Sequence, residues 1–125
     1  MLTVTVQKST EGAILRCVGR VVRGDEADTL CNAVLSAHDG RVVVVDLAEV
    51  YAIDGGGLGL LLSLQASGIH LKLQNPSRHV REVLRLTSID SVLEIHPSDD
   101  MGFDAIIDAI TSHEPGTPQE FTATE

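Results

Sequence analysis

A run of glycines behind an aspartate is the stretch of this chain with the clearest capacity to bind a ligand. Asp54 precedes Gly55, Gly56 and Gly57, and a leucine-rich segment begins at Leu58. Glycine leaves the backbone bare, and the start of a helix presents free N–H groups and partial positive charge. A turn of this composition at a helix start suits a phosphate, a carboxylate or a docked protein.

The glycine spacing fits two nucleotide-binding motifs poorly. A dinucleotide fingerprint that starts at Gly55 requires a glycine where this chain has Leu60, and a P-loop requires a lysine that is absent nearby. Two interpretations stay open: the glycines permit positive backbone dihedrals in a tight turn, or they expose backbone for binding. Consecutive glycines exceed what one turn requires, which favours the second interpretation.

Other side chains that could carry chemistry are dispersed along the chain. The histidines have separations that predict no metal site: His38, His70, His79, His96 and His113. Cys17 and Cys31 fit neither a metal-ligand spacing nor a disulfide framework, so each is predicted to be a buried apolar residue. Asp54 is predicted to cap the following helix, because no second acid or base lies beside it. We therefore predict no catalytic residue, metal or cofactor.

A basic stripe is predicted on one later helix, where Arg78, Arg81 and Arg85 recur at helical spacing. A solvated face is the favoured interpretation, and partner docking or an anion contact is the alternative. The chain as a whole is acidic, with a net charge of -9 and 2% aromatic residues. This composition argues against nucleic acid and favours a partner protein with a basic face.

The predicted elements begin with a hairpin. Leu2, Val4 and Val6 alternate with polar residues and predict a strand, and residues 13–22 predict its antiparallel partner. Asp25 is predicted to cap a helix with this apolar stripe: Ala27, Leu30, Cys31, Val34 and Leu35. The run Val42–Val45 predicts a strand buried on both faces.

After the glycine turn, leucines cover nearly the whole circumference of a predicted helix, which indicates a helix sandwiched in the core. Alternation over Ile69, Leu71 and Leu73 predicts a strand, and Asn75-Pro76-Ser77 predicts a helix start with proline in the first turn. The inward stripe of that helix is predicted to be Val80, Val83, Leu84 and Thr87. A short strand is predicted at 92–95, followed by a last amphipathic helix containing Phe103, Ile106, Ile107 and Ile110.

Alternating strands and helices predict one α/β domain over residues 1–113, with a mixed, mostly parallel five-stranded sheet and about four helices. Residues 114–125 include Pro115, Gly116 and Pro118 and have little to bury, so a disordered tail is predicted. We find no signal peptide and no apolar run of membrane-spanning length, which favours a cytoplasmic protein.

Two groups of motifs resemble the STAS domain, the fold of SpoIIAA-like anti-sigma factor antagonists. The first is Val45-Asp46-Leu47 followed by Ile53-Asp54-x-x-Gly57-Leu58-Gly59-x-Leu61. The second is Leu71-Lys72-Leu73-Gln74-Asn75-Pro76-Ser77 followed by Val80-Arg81-x-Val83-Leu84 and Ile89. Their order and spacing extend the resemblance from the first strand to the last helix.

The resemblance implies a specific regulatory switch that this chain lacks. In the family, a serine follows the aspartate at the start of the second helix, a kinase-type anti-sigma factor phosphorylates it, and the phosphate blocks binding. The matching position is Gly55, and Gly56 follows it, so neither has a hydroxyl. The nearest hydroxyls are predicted on the preceding strand, at Tyr51, and well within the helix, at Ser63. We therefore expect no phosphorylation at this turn.

The function implied by the resemblance is non-enzymatic: an anti-sigma factor antagonist that binds an anti-sigma factor with a kinase-type ATPase fold and regulates transcription indirectly. The expected partner-binding residues are Asp54, Gly55, Gly56, Gly57 and Leu58. Without an acceptor hydroxyl, the protein is either permanently able to bind or an adaptor subunit of another assembly, such as a transporter complex or a stress-sensing particle. An anion- or nucleotide-binding module is the third alternative.

Overall fold

The computed structural model describes residues 1–96 and 119–123. Its strands are β1 (Leu2–Ser9), β2 (Gly12–Val21), β3 (Val42–Ile53), β4 (Leu71–Gln74), β5 (Glu94–His96) and β6 (Gln119–Ala123). Its α-helices are α1 (Asp25–Ala37), α2 (Gly55–Ala66) and α3 (Arg78–Leu86), and a short 3₁₀ helix spans Ile89–Ser91. The predicted helix around Phe103 lies outside the described residues.

The strands form one six-stranded sheet in the order β5-β4-β3-β2-β1-β6. Neighbouring strands from β2 to β5 pair in parallel, whereas β1 is antiparallel to both β2 and β6. Each parallel pair is joined through a helix, as parallel connections require. The predicted α/β class, the opening hairpin and the mixed, mostly parallel sheet are confirmed, although residues 1–96 and 119–123 contribute six strands to the sheet rather than the predicted five.

Strand β3 forms the centre of the core, as its run of valines predicted. Val43, Val44 and Val45 are at most 1% exposed. Leucines from several elements pack in the same core, among them Leu47, Leu61, Leu73 and Leu84. The carboxyl end of β3, which leads into α2, is therefore anchored in the packed core.

Helix α1 departs from the prediction at its start and on one face. Gly24 is the N-cap residue, with a φ of 105°, and its carbonyl oxygen accepts a hydrogen bond from the Asp28 N–H at 3.0 Å. Asp25 is therefore the first helical residue and not the cap. Leu35, predicted in the apolar stripe, is 54% exposed. Alanines complete the buried face instead, which lets α1 pack closely against β1, β2 and β6: Ala27, Leu30, Ala33, Val34 and Ala37.

One charged residue of α1 lies inside the fold. Glu26 is 4% exposed, and no other charged side chain of the described ranges 1–96 and 119–123 is buried. Its carboxylate accepts a hydrogen bond from Arg20 Nε at 2.9 Å and another from the amino group of Met1. Burial opposes ionisation of Glu26, but these two donors outweigh it and lower the pKa of the carboxyl.

The predicted disordered tail is wrong for residues 119–123. These residues form β6, which pairs with β1 from Leu2 opposite Ala123 to Val6 opposite Gln119. Phe121 is half-buried and Ala123 is 4% exposed, so alternate side chains contribute to the core. Pairing with β1 provides hydrogen-bond partners for the backbone of β6, and amino-acid composition carries no information about such a distant partner. The domain therefore includes residues beyond the predicted boundary at residue 113.

Helix α3 also starts differently from the prediction. Ser77 is its N-cap, and Ser77 Oγ accepts a hydrogen bond from the Val80 N–H, so Pro76 precedes the cap and lies outside the first turn. Val80 and Leu84 are buried, whereas Val83 is half-buried and Thr87 is exposed. The three arginines are exposed as predicted: Arg78, Arg81 and Arg85. Strand β5 starts at Glu94, because Val92 lies in a turn and is 57% exposed.

Candidate functional site

Helix α2 begins where β3 ends, and Asp54 joins the two elements. The Gly57 N–H donates a hydrogen bond to Asp54 Oδ1 at 2.9 Å, which confirms the predicted cap. The backbone N–H of Arg23 donates to the same carboxylate, at 3.1 Å to Oδ1 and 3.2 Å to Oδ2. Asp54 therefore also ties the start of α2 to the loop between β2 and α1.

The hydrogen bonds to Asp54 favour its ionised form. The Gly57 N–H makes the largest contribution to lowering the pKa of Asp54, partial burial opposes it, and the Arg23 and Gly56 N–H groups and the Arg23 charge lower the pKa further. A carboxylate held this way serves to cap a helix and is poorly suited to accepting a proton near neutral pH.

Asp54→Ala is expected to lower the free energy of unfolding by about 1–2 kcal/mol, because α2 loses its cap. The folded-state pKa lies below the unfolded-state value, so this stabilisation is present above the unfolded pKa and is lost as pH falls through the folded pKa. Urea denaturation from about pH 6 to about pH 2.5 should show wild type and variant converging at the acid end. A constant gap across that range would contradict the assigned role.

Two of the glycines are required because other backbone lies against them. A Cβ at Gly57 would lie 2.3 Å from the carbonyl oxygen of Val21, and a Cβ at Gly56 would lie 2.6 Å from Arg23 Cβ. Neither glycine has a positive φ, so the interpretation based on positive dihedrals is wrong. Close packing of α2 against the end of β2 explains these glycines.

The other two glycines are not required by any described neighbour. A Cβ at Gly55 or Gly59 would meet nothing within 4 Å, and both residues are exposed. They lie one helical turn apart, and the exposed Ser63 follows one turn later. We call Gly55, Gly59 and Ser63 the open face of α2. Glycine inside a helix costs about 1 kcal/mol relative to alanine, so packing against the residues that the structure describes gives no reason for Gly59.

The predicted enclosure of α2 is wrong on one side. Leu58, Leu61 and Leu64 are at most 5% exposed, whereas Leu60 and Leu62 are only half-buried. Helix α2 packs against α1 and β3 on its inner side. The sequence pattern pointed to complete burial because leucines occur on every side, but the open face lies between the half-buried leucines and remains accessible.

The structure divides the predicted partner-binding residues into two groups. Asp54 and Gly55 are exposed and Gly56 is half-buried, so these residues are accessible at the start of α2. Gly57 and Leu58 are buried and face the core. Sequence reasoning omitted Gly59 and Ser63, although their spacing of four residues from Gly55 onwards was a usable signal.

Other candidate reactive groups are separated from this site. Burial, aided by the Asp46 charge, raises the pKa of the Cys17 thiol to about 12, so it is protonated near neutral pH. Cys31 is half-buried, and both cysteines are free. Within residues 1–96 and 119–123, no three potential ligands cluster to hold a metal ion. In the same ranges, no helix combines the length and apolar character needed to cross a membrane.

The parallel core, the antiparallel hairpin and the capped helix after β3 define an α/β domain of the STAS type. Residues 4–94 match the family model described as "Mlab, STAS domain", which covers more than half of the chain. The protein therefore belongs to the STAS domain family, which confirms the resemblance drawn from its motifs. A search of curated proteins found no match.

Solved structures share this fold. An anti-sigma factor antagonist from Mycobacterium paratuberculosis is 18% identical with a TM-score of 0.71, covering 89% of this chain and 95% of that one. A putative anti-sigma factor antagonist from Thermotoga maritima is 21% identical with a TM-score of 0.66, covering 82% and 92%. Unphosphorylated SpoIIAA is 17% identical with a TM-score of 0.59, covering 89% and 98%. At these identities, the similarity establishes the fold.

Proposed function

We propose that the protein is a non-enzymatic interaction module, an anti-sigma factor antagonist that binds an anti-sigma factor of the kinase type through the open face of α2. The observation that carries the proposal is the pair of exposed glycines, Gly55 and Gly59, which no described neighbour requires. They leave the helix backbone accessible, so another protein chain can approach it more closely than side chains would allow. The similarity of the fold to anti-sigma factor antagonists supports this function.

Neighbouring residues suit the edge of such an interface. Tyr51 lies near the end of β3, just before α2, and is 64% exposed. Tyrosine combines a large apolar ring with a hydrogen-bonding hydroxyl and is enriched at interface hot spots. The half-buried Leu60 and Leu62 add apolar surface on either side of the open face. The chain carries a net charge of -9, so a partner with a basic contact surface would associate faster at low salt.

The proposed interface lacks a phosphate acceptor where the family carries its serine. Position 55 is exposed and has no hydroxyl, and position 56 has none either. A phosphate at this point would add about two negative charges to a docked interface and repel or displace the partner. A chain with Gly55 avoids this inhibition and remains able to bind whether or not the partner has kinase activity.

Capture of partners from a native lysate tests the proposed interface. Gly55→Glu places a charged side chain on the open face in space that is free, and should reduce recovery of one dominant partner at least about tenfold. Thr10→Glu is the matched control, because Thr10 is exposed in the β1–β2 turn, away from the carboxyl ends of the parallel strands. Gly56→Glu is unsuitable, because Arg23 lies against that position.

A second variant tests the missing switch. Gly55→Ser should retain the partner and, if that partner is a kinase, should gain one phosphoryl group on incubation with ATP, as seen by intact-mass measurement. The wild type should gain none at this turn. Recovery of the same partner by wild type and Gly55→Glu would place the interface elsewhere, and phosphorylation of wild type at the turn would contradict the missing switch.

An adaptor subunit of another assembly, such as a transporter complex, is the second candidate. The lack of a hydroxyl at positions 55 and 56 favours it, because a structural adaptor needs no phosphorylation switch. The captured partner distinguishes the two functions. A histidine-kinase-like ATPase would support the antagonist, and a membrane permease or its associated subunit would support the adaptor.

A further inference from the structure

A half-open cavity of about 410 Å³ lies beside α3, and none of its lining residues belongs to α2. Helix α3, the 3₁₀ helix, β5 and the loop after β4 border it on part of its surface, and its lining residues are Pro76, Arg81, Leu84, Arg85, Asp90 and Ile95. Ligands of open parallel sheets commonly bind beyond the carboxyl ends of the strands, where Pro76 lies. The volume is within the range of small-molecule sites.

The inner part of the cavity is apolar. Leu84 is 1% exposed, Pro76 is buried and Ile95 is half-buried. These side chains offer no hydrogen-bonding group, so they favour the apolar part of a ligand. An apolar ligand group that packs here would leave water, and it would lose no hydrogen bond because it has no polar atom.

Charged groups lie around the apolar part and partly cancel. Arg85 Nη2 donates a hydrogen bond to Glu82 Oε1 at 2.7 Å. The negative charge of Asp90 also attracts the Arg85 guanidinium. Arg81 is exposed, and within the described part of the chain it makes no ion pair or side-chain hydrogen bond. Arg78 lies one turn earlier on α3 and adds positive charge near Arg81. Among the described residues, the Arg81 guanidinium therefore has no carboxylate partner.

We propose that this cavity binds a small organic monoanion with an apolar body, such as a medium-chain carboxylate. The carboxylate would pair with the Arg81 guanidinium, which matches its planar geometry, and the chain would lie over Ile95 and the aliphatic stem of Arg85. Asp90 in the lining opposes a multiply charged group, which selects a single negative charge over a polyphosphate. This proposal concerns a second site and does not depend on the proposed function of α2.

Titration with sodium octanoate, followed by calorimetry and by backbone amide shifts, tests the proposal. Saturable binding is expected, with the largest shifts in α3, the 3₁₀ helix and β5. Octan-1-ol keeps the chain without the charge, and acetate keeps the charge without the chain; each should bind at least about tenfold more weakly than octanoate. Raising the salt concentration should weaken octanoate binding and leave octan-1-ol unchanged.

Two substitutions on the same exposed side of α3 separate the charge effect from folding. Arg81→Met keeps an apolar stem and removes the guanidinium, so octanoate affinity should fall about tenfold. Arg78→Met removes the same charge one turn away, outside the cavity lining, and should change the affinity less than about threefold. Both side chains are exposed, so both variants should keep wild-type stability.

Three outcomes would overturn the proposal: no saturable octanoate binding, equal affinity for octanoate and octan-1-ol, or equal effects of Arg81→Met and Arg78→Met. The Gly55→Glu variant should bind octanoate like wild type, and Arg81→Met should still capture the protein partner. These two measurements distinguish failure at this cavity from failure of the interface proposed on α2.

Discussion

Replacing Gly57 by alanine is expected to lower the free energy of unfolding by about 3 kcal/mol, whereas the same change at Gly59 should raise it by up to about 1 kcal/mol. At Gly57, the new methyl group would lie 2.3 Å from the Val21 carbonyl oxygen and 2.9 Å from Ile53 Cγ1. Backbone cannot move away as a flexible side chain can, so α2 must shift. At Gly59, the methyl group meets nothing within 4 Å and only the higher helix propensity of alanine remains.

Urea denaturation of the two variants measures this difference directly, since they share one helix and one chemical change. The midpoint should decrease for Gly57→Ala and increase for Gly59→Ala, with similar slopes. Stability changes of the same sign would show that the contacts at the start of α2 do not decide which glycines are required. A stabilised Gly59→Ala that also loses its protein partner would connect that glycine to binding.

Arg20→Met is expected to lower the free energy of unfolding by about 2–3 kcal/mol, because it removes a partner from a buried carboxylate. Glu26 is 4% exposed and accepts a hydrogen bond from Arg20 Nε at 2.9 Å. The reverse change, Glu26→Met, should cost less, because the side chain of Arg20 is 30% exposed and can turn to solvent. The asymmetry follows from which of the two charges is trapped without water.

Acid titration of stability provides the check on this pair. Interaction with its donors lowers the pKa of Glu26, so the stabilisation is present above the unfolded-state pKa and is lost as pH falls through the folded-state value. The difference between wild type and Glu26→Met should therefore shrink in acid. If Glu26→Met proves as costly as Arg20→Met at neutral pH, packing rather than the unpaired charge controls stability here.

Local sequence patterns predicted the fold best where a residue type has one strong structural preference, such as valine for buried strands or aspartate for helix caps. The valines of β3 predicted a strand buried on both faces, and Asp54 was identified from the sequence as the residue that caps α2. Strand β6 was missed because it lies in the segment 114–125, whose prolines, threonines and glutamates are typical of a solvated tail. Its structure depends on pairing with β1, more than a hundred residues earlier in the chain, which no local pattern reports.

The sequence predicted the glycine turn at the start of α2 but not the surroundings of each glycine. The glycine turn indicated exposed backbone, yet only the positions of Val21 and Arg23 show that Gly56 and Gly57 serve packing while Gly55 and Gly59 do not. These neighbours come from β2 and the loop after it, so the distinction is a tertiary one. Sequence spacing predicted the arginine stripe of α3 but could not show that an apolar cavity lies beside it.

Strand β6 takes the place of β1 at the edge of the sheet. Without it, β1 would offer a row of bare amide and carbonyl groups from Leu2 to Val6 along its outer border, a template on which a strand from another molecule could add. The opposite border is β5, only three residues long, which is too short to nucleate such growth effectively. Pairing with a distant segment therefore replaces an eight-residue edge strand by one of five residues, which is a shorter template for a strand from another molecule.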